Sequence, residues 1–166
     1  MLESPLVREL LTERLVAVLG TVDSDGAPHV VPVWFAARSG QIVLAASSRS
    51  RKIRNLERDP RATLCVHDSR PGVEVCGASF RGRAEVVRGD AADALVELVH
   101  DRYVTPVGTG LPAVREFLSY DDVAVVLTPH AAWTWDERAN PAAEALRDAG
   151  AARPLVPTAP RAADPG

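Results

Sequence analysis

Short apolar, β-branched runs recur through the chain, and turn residues cut most of them off. Leu15 to Val22 stops at Asp23-Ser24-Asp25-Gly26, Pro28 to Ala37 stops at Arg38-Ser39-Gly40, and Gln41 to Ala46 follows directly. Runs of this length with such punctuation form hairpins rather than helices, so these three predict a β-meander. Ala62 to His67 supplies a fourth strand. Val73 to Arg88 supplies a long fifth, whose interior Gly77 and Gly82 predict bulges or close approaches. Val123 to Leu127 is a sixth strand that Pro129 closes, and in Trp133-Thr134-Trp135 both indoles project from one side of an extended segment.

Helices fall at the margins of this pattern. Ser4-Pro5 and Asn140-Pro141 each read as an N-cap followed by proline at the first helical position, with Gly150 ending the second helix. Ser50 caps a short helix that Asp59-Pro60 terminates, and Asp90 caps another running to about Val104. Residues 105–112 read as loop, with a short helix near Val114 to Leu118. The expected fold is mainly β: an antiparallel barrel with flanking helices, closed so that few sheet edges remain exposed. The 166 residues suit one core. Residues 1–150 form that domain, and 151–166 read as a flexible Ala/Pro-rich tail.

A net charge of −3 argues against a general nucleic-acid binder, which needs a surplus of Lys and Arg. No apolar run is long enough to span a bilayer and no cleavable leader is evident, so the expected location is cytoplasmic, with no membrane partner. Cys65 and Cys76 lack C-x-x-C spacing and read as reduced, buried thiols. His29, His67, His100 and His130 show no metal-ligand spacing, and neither a G-x-S-x-G elbow nor a P-loop occurs. No metal is expected.

One stretch concentrates anion-binding chemistry. Ser47-Ser48-Arg49-Ser50-Arg51-Lys52 lies between a strand end and a helix start, where free backbone N–H groups and the helix dipole favour negative charge. Lys52 is the sole lysine among 19 basic residues. The same stretch also reads as an ordinary solvated helix face.

The run Asp25-Gly26-Ala27-Pro28-His29-Val30-Val31-Pro32-Val33-Trp34-Phe35, followed by Ser50-Arg51-Lys52-Ile53-Arg54-Asn55-Leu56 and Asp59-Pro60-Arg61-Ala62-Thr63-Leu64, resembles the pyridoxamine 5′-phosphate oxidase-like superfamily. Within it the chain is most similar to the actinobacterial oxidoreductases that depend on the deazaflavin coenzyme F420. The resemblance implies a split β-barrel homodimer with cofactor in grooves at the subunit interface. It puts Arg51 and Lys52 on the cofactor phosphate with Ser47 and Ser48 as hydroxyl partners, Asn55 nearby, and Val31, Pro32 and Val33 along the ring system. It brings Trp135, near the C-terminal strand, toward the cofactor. The implied activity is hydride transfer between the deazaflavin and a small unsaturated acceptor. The alternatives are an FMN-dependent enzyme of the same fold and a non-catalytic flavin- or haem-binding barrel. A groove made basic by Arg49, Arg51, Lys52, Arg54 and Arg58 would suit the longer, more acidic deazaflavin.

Overall fold

The computed structural model describes residues 2–68 and 75–152. In chain order its elements are α1 (Pro5–Thr12), β1 (Ala17–Val22), β2 (Pro28–Val33), β3 (Phe35–Arg38), β4 (Gln41–Ser47), α2 (Arg51–Arg58), β5 (Arg61–Asp68), β6 (Cys76–Val87), α3 (Asp90–Tyr103), α4 (Pro106–Thr109), α5 (Pro112–Leu118), β7 (Asp122–Asp136) and α6 (Pro141–Asp148). The strands form one sheet in the order β2-β1-β5-β6-β7-β4-β3, every neighbouring pair antiparallel. Curled into a half-barrel with helices on its flanks, it is the split-barrel architecture expected.

Alternation builds the core. In β1, Ala17, Leu19 and Thr21 turn inward, and they meet Leu64 and Val66 of β5 and Ala78 and Phe80 of β6. Phe35, Ile42, Leu44 and Leu127 complete that layer, and α1 and α2 close it with Leu10, Ile53 and Leu56. Each such fully buried side chain stabilises by roughly 1.5–3 kcal/mol. β4 is apolar on both faces because its other side packs against α3, where Val43 and Ala124 meet Ala92 and Val99. A strand covered twice loses its alternation.

Four local expectations are corrected. The run Pro28 to Ala37 is two strands broken at Trp34, because β2 pairs with β1 whereas β3 pairs with β4; the described strands number seven, not six. Pro129 does not close the last strand: β7 continues to Asp136, and the proline falls opposite Gly82 where the β6–β7 register shifts, so its missing N–H interrupts no regular ladder. α3 starts as expected, but its N-cap is Gly89 at φ 63, not Asp90. Within the expected loop at 105–112, Thr105 caps a single turn, α4.

Both strand glycines behave as anticipated, one in each way. At Gly82 a Cβ would sit 2.4 Å from the Thr128 carbonyl oxygen beside the register shift. At Gly77 it would sit 2.2 Å from the Trp135 ring, so the indole occupies the space above the glycine. Ser4 and Asn140 cap α1 and α6 through their side chains, and Gly150 follows at φ 60. Residues 153–166 of the expected tail, and the start of the expected fifth strand at Val73, lie outside the described residues. Cys65 and Cys76 are free, and burial pushes both thiols above their ordinary range. No helix of the described residues is long and apolar enough to cross a membrane.

Candidate functional site

Ala45 of β4 and Lys52 at the start of α2 border a cleft of about 280 Å³. Val16, Pro32, Val33, Trp34, Ala45 and Phe117 give it apolar walls, while Lys52, His100 and Asp122 supply its polar groups. Three segments distant in sequence meet here. The partner switch at Trp34 brings the β2–β3 junction over the cleft, α2 contributes Lys52, and the β4–β7 ladder sets Asp122 opposite Ser47.

The aromatic wall is braced from behind. Trp34 stacks on Tyr103 with ring centres 4.8 Å apart and planes 7° from parallel. The Tyr103 hydroxyl donates to the Leu15 carbonyl at 2.6 Å and accepts from the Phe35 N–H at 3.3 Å, which anchors α3 to the strand junction. Phe117 and His100 each meet the Trp34 ring edge-on. A preformed, mostly apolar cleft with a few converging polar groups is the usual form of a small-molecule site.

Lys52 is half-buried beside these walls and has no hydrogen-bond partner among the described residues. Burial pushes its ammonium below the ordinary 10.5, and the negative charge of Asp122 opposes that shift. His100 Nε2 lies 3.4 Å from Asp122 Oδ2.

Arg51, next in the chain, goes elsewhere. Its guanidinium grips Asp23 with two hydrogen bonds, Nε to Oδ1 at 2.9 Å and Nη2 to Oδ2 at 2.5 Å. Asn55 joins the same hub, its Nδ2 donating to Asp23 Oδ1 at 2.8 Å and to Thr21 Oγ1 at 3.1 Å. Arg58 donates to the Asn55 side-chain oxygen and to the Val22 carbonyl. The Asn55 amide is the leading cause holding the Asp23 carboxyl below its ordinary range, with Arg51 adding to it. This network ties α2 to the β1–β2 turn.

Among the sequence-derived candidates, then, Pro32, Val33 and Lys52 meet in the cleft, and Val31 is partly buried against the core. Ser47 ends β4 opposite Asp122 and Ser48 follows it in the turn, and neither lines the cleft. The Ser48 hydroxyl donates to Asp121 Oδ2, so its single proton is already used. Arg51 and Asn55 point into the Asp23 hub, and Arg54 donates to the Arg49 carbonyl. Of the basic residues expected to make the groove positive, Lys52 alone lines it among the described residues. Trp133 and Trp135 do share one face: Trp133 lies beneath the Arg81 guanidinium, 4.9 Å from it, and Trp135 packs on Gly77. From Asp122, Trp135 is thirteen strand positions away, roughly 40 Å of extended chain.

Sequence reasoning assigned no role to Trp34, His100, Phe117 or Asp122. Trp34 was visible as an aromatic within the second apolar run. The others depend on α3, α5 and β7 folding back against β4, which no local signal records.

The residues present fit the phosphate ester of a flavin-type cofactor. Ser50 Oγ at the start of α2 is buried without a hydrogen-bond partner and does not cap the helix. The Ser50 carbonyl takes the Ile53 N–H, and helix geometry leaves the Arg51 and Lys52 amides at the start of α2 without intrahelical acceptors. Lys52 adds a positive charge at the same end, and the apolar walls suit a flat ring.

Comparison with known proteins bears on the family and the fold. The sequence pattern of the pyridoxamine 5′-phosphate oxidase family matches residues 4–136. A conserved hypothetical protein of Mycobacterium tuberculosis, Rv2991, is 28% identical with a TM-score of 0.69, covering 83% of this chain and 87% of its own. An F420 reductase is 26% identical with a TM-score of 0.59, covering 76% and 94%. HutZ, the haem storage protein of Vibrio cholerae, shares the fold at 20% identity and a TM-score of 0.63, covering 78% and 92%. Among curated proteins none matches significantly.

Proposed function

Because the chain belongs to the pyridoxamine 5′-phosphate oxidase family, we propose that it is an oxidoreductase of that family which binds coenzyme F420 and reduces a small unsaturated acceptor. The observation that carries this reading is Lys52, a half-buried cation without a hydrogen-bond partner among the described residues, placed at the start of a helix and beside an apolar cleft. An ammonium half-buried against apolar walls, on which the charge of Asp122 acts but to which no side chain among the described residues is hydrogen-bonded, keeps its donors free for an anionic ligand. Likeness to an F420 reductase supports the deazaflavin over FMN.

When bound, the deazaflavin supplies the hydride, and the protein's part is to bind, orient and exclude water. Lys52 and the first-turn amides of α2 hold the phosphate. Pro32, Val33 and Trp34 give the ring an apolar bed, with Trp34 kept flat by Tyr103. Phe117 narrows the opening, and the acceptor enters beside it. The active form is a homodimer. Trp135 lies too far along β7 to reach the Lys52 of its own subunit, so its contact with cofactor is made across the interface.

The test is fluorescence titration of the cofactor-free protein with coenzyme F420, FMN and haem separately. Saturable micromolar or tighter binding of F420 in preference to FMN is the expected result. Preference for FMN moves the protein to the FMN-dependent reading. Tight haem binding with no flavin binding removes the oxidoreductase reading.

A further inference from the structure

The cradle expected to be strongly basic is flanked by carboxylates. Asp122 is the β-ladder partner of Ser47, and Asp121 takes both the Ser48 N–H, through its carbonyl, and the Ser48 hydroxyl, through its side chain. Arg51, which would have added a second positive charge, is held by Asp23. What faces the cleft at this end is Lys52 with Asp122 beside it. His100 lines the same cleft, with Nε2 3.4 Å from the Asp122 carboxylate.

Resting on the cofactor reading above, we infer that Asp122 is a specificity residue that sets the charge of the phosphate this cleft accepts, favouring a singly charged phosphodiester over a doubly charged phosphate monoester. The reasoning is electrostatic. One ammonium and a few helix amides balance one negative charge. A second charge on the same phosphate finds no other lysine or arginine among the described residues that line the cleft, and it feels the Asp122 carboxylate at close range. Repulsion by Asp122 scales with the ligand's charge, so whatever factor it costs a monoanion, it costs a dianion about that factor squared. Near pH 8 a terminal phosphate ester, whose second ionisation lies near 6, carries close to two charges. A phosphate bridged through a second ester bond, as in the deazaflavin coenzyme, carries one at any pH from 5 to 9. The carboxylate that looks misplaced in a phosphate site thus separates the two cofactor classes the family uses.

The experiment uses two probes that share a ring and differ only at the phosphate: FMN and its methyl phosphodiester, titrated at pH 8 into the full chain and into Asp122→Asn. The deazaflavin 5′-phosphate and its methyl diester form a second pair. In the native protein the diester is expected to bind tighter within each pair. In Asp122→Asn the diester should gain about threefold and the monoester about tenfold, which erases or reverses the preference. Asp121→Asn, whose carboxylate already accepts from Ser48, should shift the ratio by less than about twofold. A monoester-to-diester ratio that Asp122→Asn leaves unchanged, with binding intact, overturns the proposal and leaves the cofactor reading standing. Failure of every probe to bind the native protein sinks both.

Discussion

Arg51 and Lys52 are neighbours at the start of one helix, and the fold treats them in opposite ways. On the side of Arg51, Asn55 and Arg58, donors and acceptors are matched around Asp23, and Asp23 and Asn55 are 8% and 3% exposed. On the side of Lys52, an ammonium and the Ser50 hydroxyl have no hydrogen-bond partner among the described residues, and most of the surrounding wall is apolar. A saturated network does structural work, since a ligand would have to break it to gain anything from it. An unsaturated one holds its capacity in reserve. Adjacent residues of one motif can therefore have separate roles, and satisfaction of hydrogen bonds distinguishes them where sequence cannot.

Asn55→Ala should give the largest effect. It removes two donated bonds in a buried place and exposes Thr21 and Asp23 to an unfilled space, so stability should fall by about 2–4 kcal/mol, read as a drop of several degrees in Tm. Cofactor affinity measured on the remaining folded protein should change little. A large loss of affinity with unaltered Tm would move Asn55 to the cleft side and break the comparison. Lys52→Ala should do the reverse, weakening cofactor binding by about 1–3 kcal/mol while Tm stays within a degree or two. Equal losses of Tm and affinity there would mean that the lysine is part of the scaffold.

Arg51→Gln sharpens the contrast. The Arg51 side chain is 60% exposed, so its pair with Asp23 is worth less than about 1 kcal/mol, and cofactor affinity should stay within about threefold. A tenfold loss of affinity would return Arg51 to the phosphate. The smallest effect near neutrality is the pH response of the hub. Asp23 and Asp136 titrate below the ordinary 3.8, and Asp59, held chiefly by its hydrogen bonds to Arg61, titrates at about 2. A carboxyl depressed in the folded state stabilises fully above its unfolded value, and that stability drains away as pH falls through the folded one. Tm should be flat from pH 7 to about 5 and fall between about pH 4 and 2. Asp23→Asn should start lower and fall less steeply, and an identical acid limb in that variant would detach Asp23 from the effect.

The meander was legible in the sequence because period-two alternation and turn residues act locally, and α1 and α6 were legible because Ser4-Pro5 and Asn140-Pro141 do. What escaped was decided by pairing. Nothing in Val33-Trp34-Phe35 announces that the chain leaves β1 for β4 at that point. Pro129 is a strand-breaker whose defect is absorbed by a bulge that Gly82 permits on the facing strand. In the site, Lys52 stood out through its position between strand and helix. Asp122 and His100 did not, because they reach Lys52 only through the β4–β7 ladder and the packing of α3 on it. The resemblance put Arg51 and Lys52 together on the phosphate, whereas the fold turns Arg51 to Asp23 and Lys52 to the cleft, since neighbours in a motif need not be neighbours in space.

The β4–β7 ladder pairs residues 42–47 with 122–127, so about eighty residues of intervening chain must be looped out before either strand is satisfied. The β1–β2 hairpin, by contrast, closes across a turn of a few residues. Contacts so distant in sequence come late and slow the search, whereas the hairpin can form early. Lys52 is made long before Asp122 during synthesis, and the cleft between them does not exist until the last strand docks. A ribosome-bound chain stopped before β7 can display a nearly complete cofactor motif and still be unable to hold a cofactor, which makes loading a property of the finished chain alone.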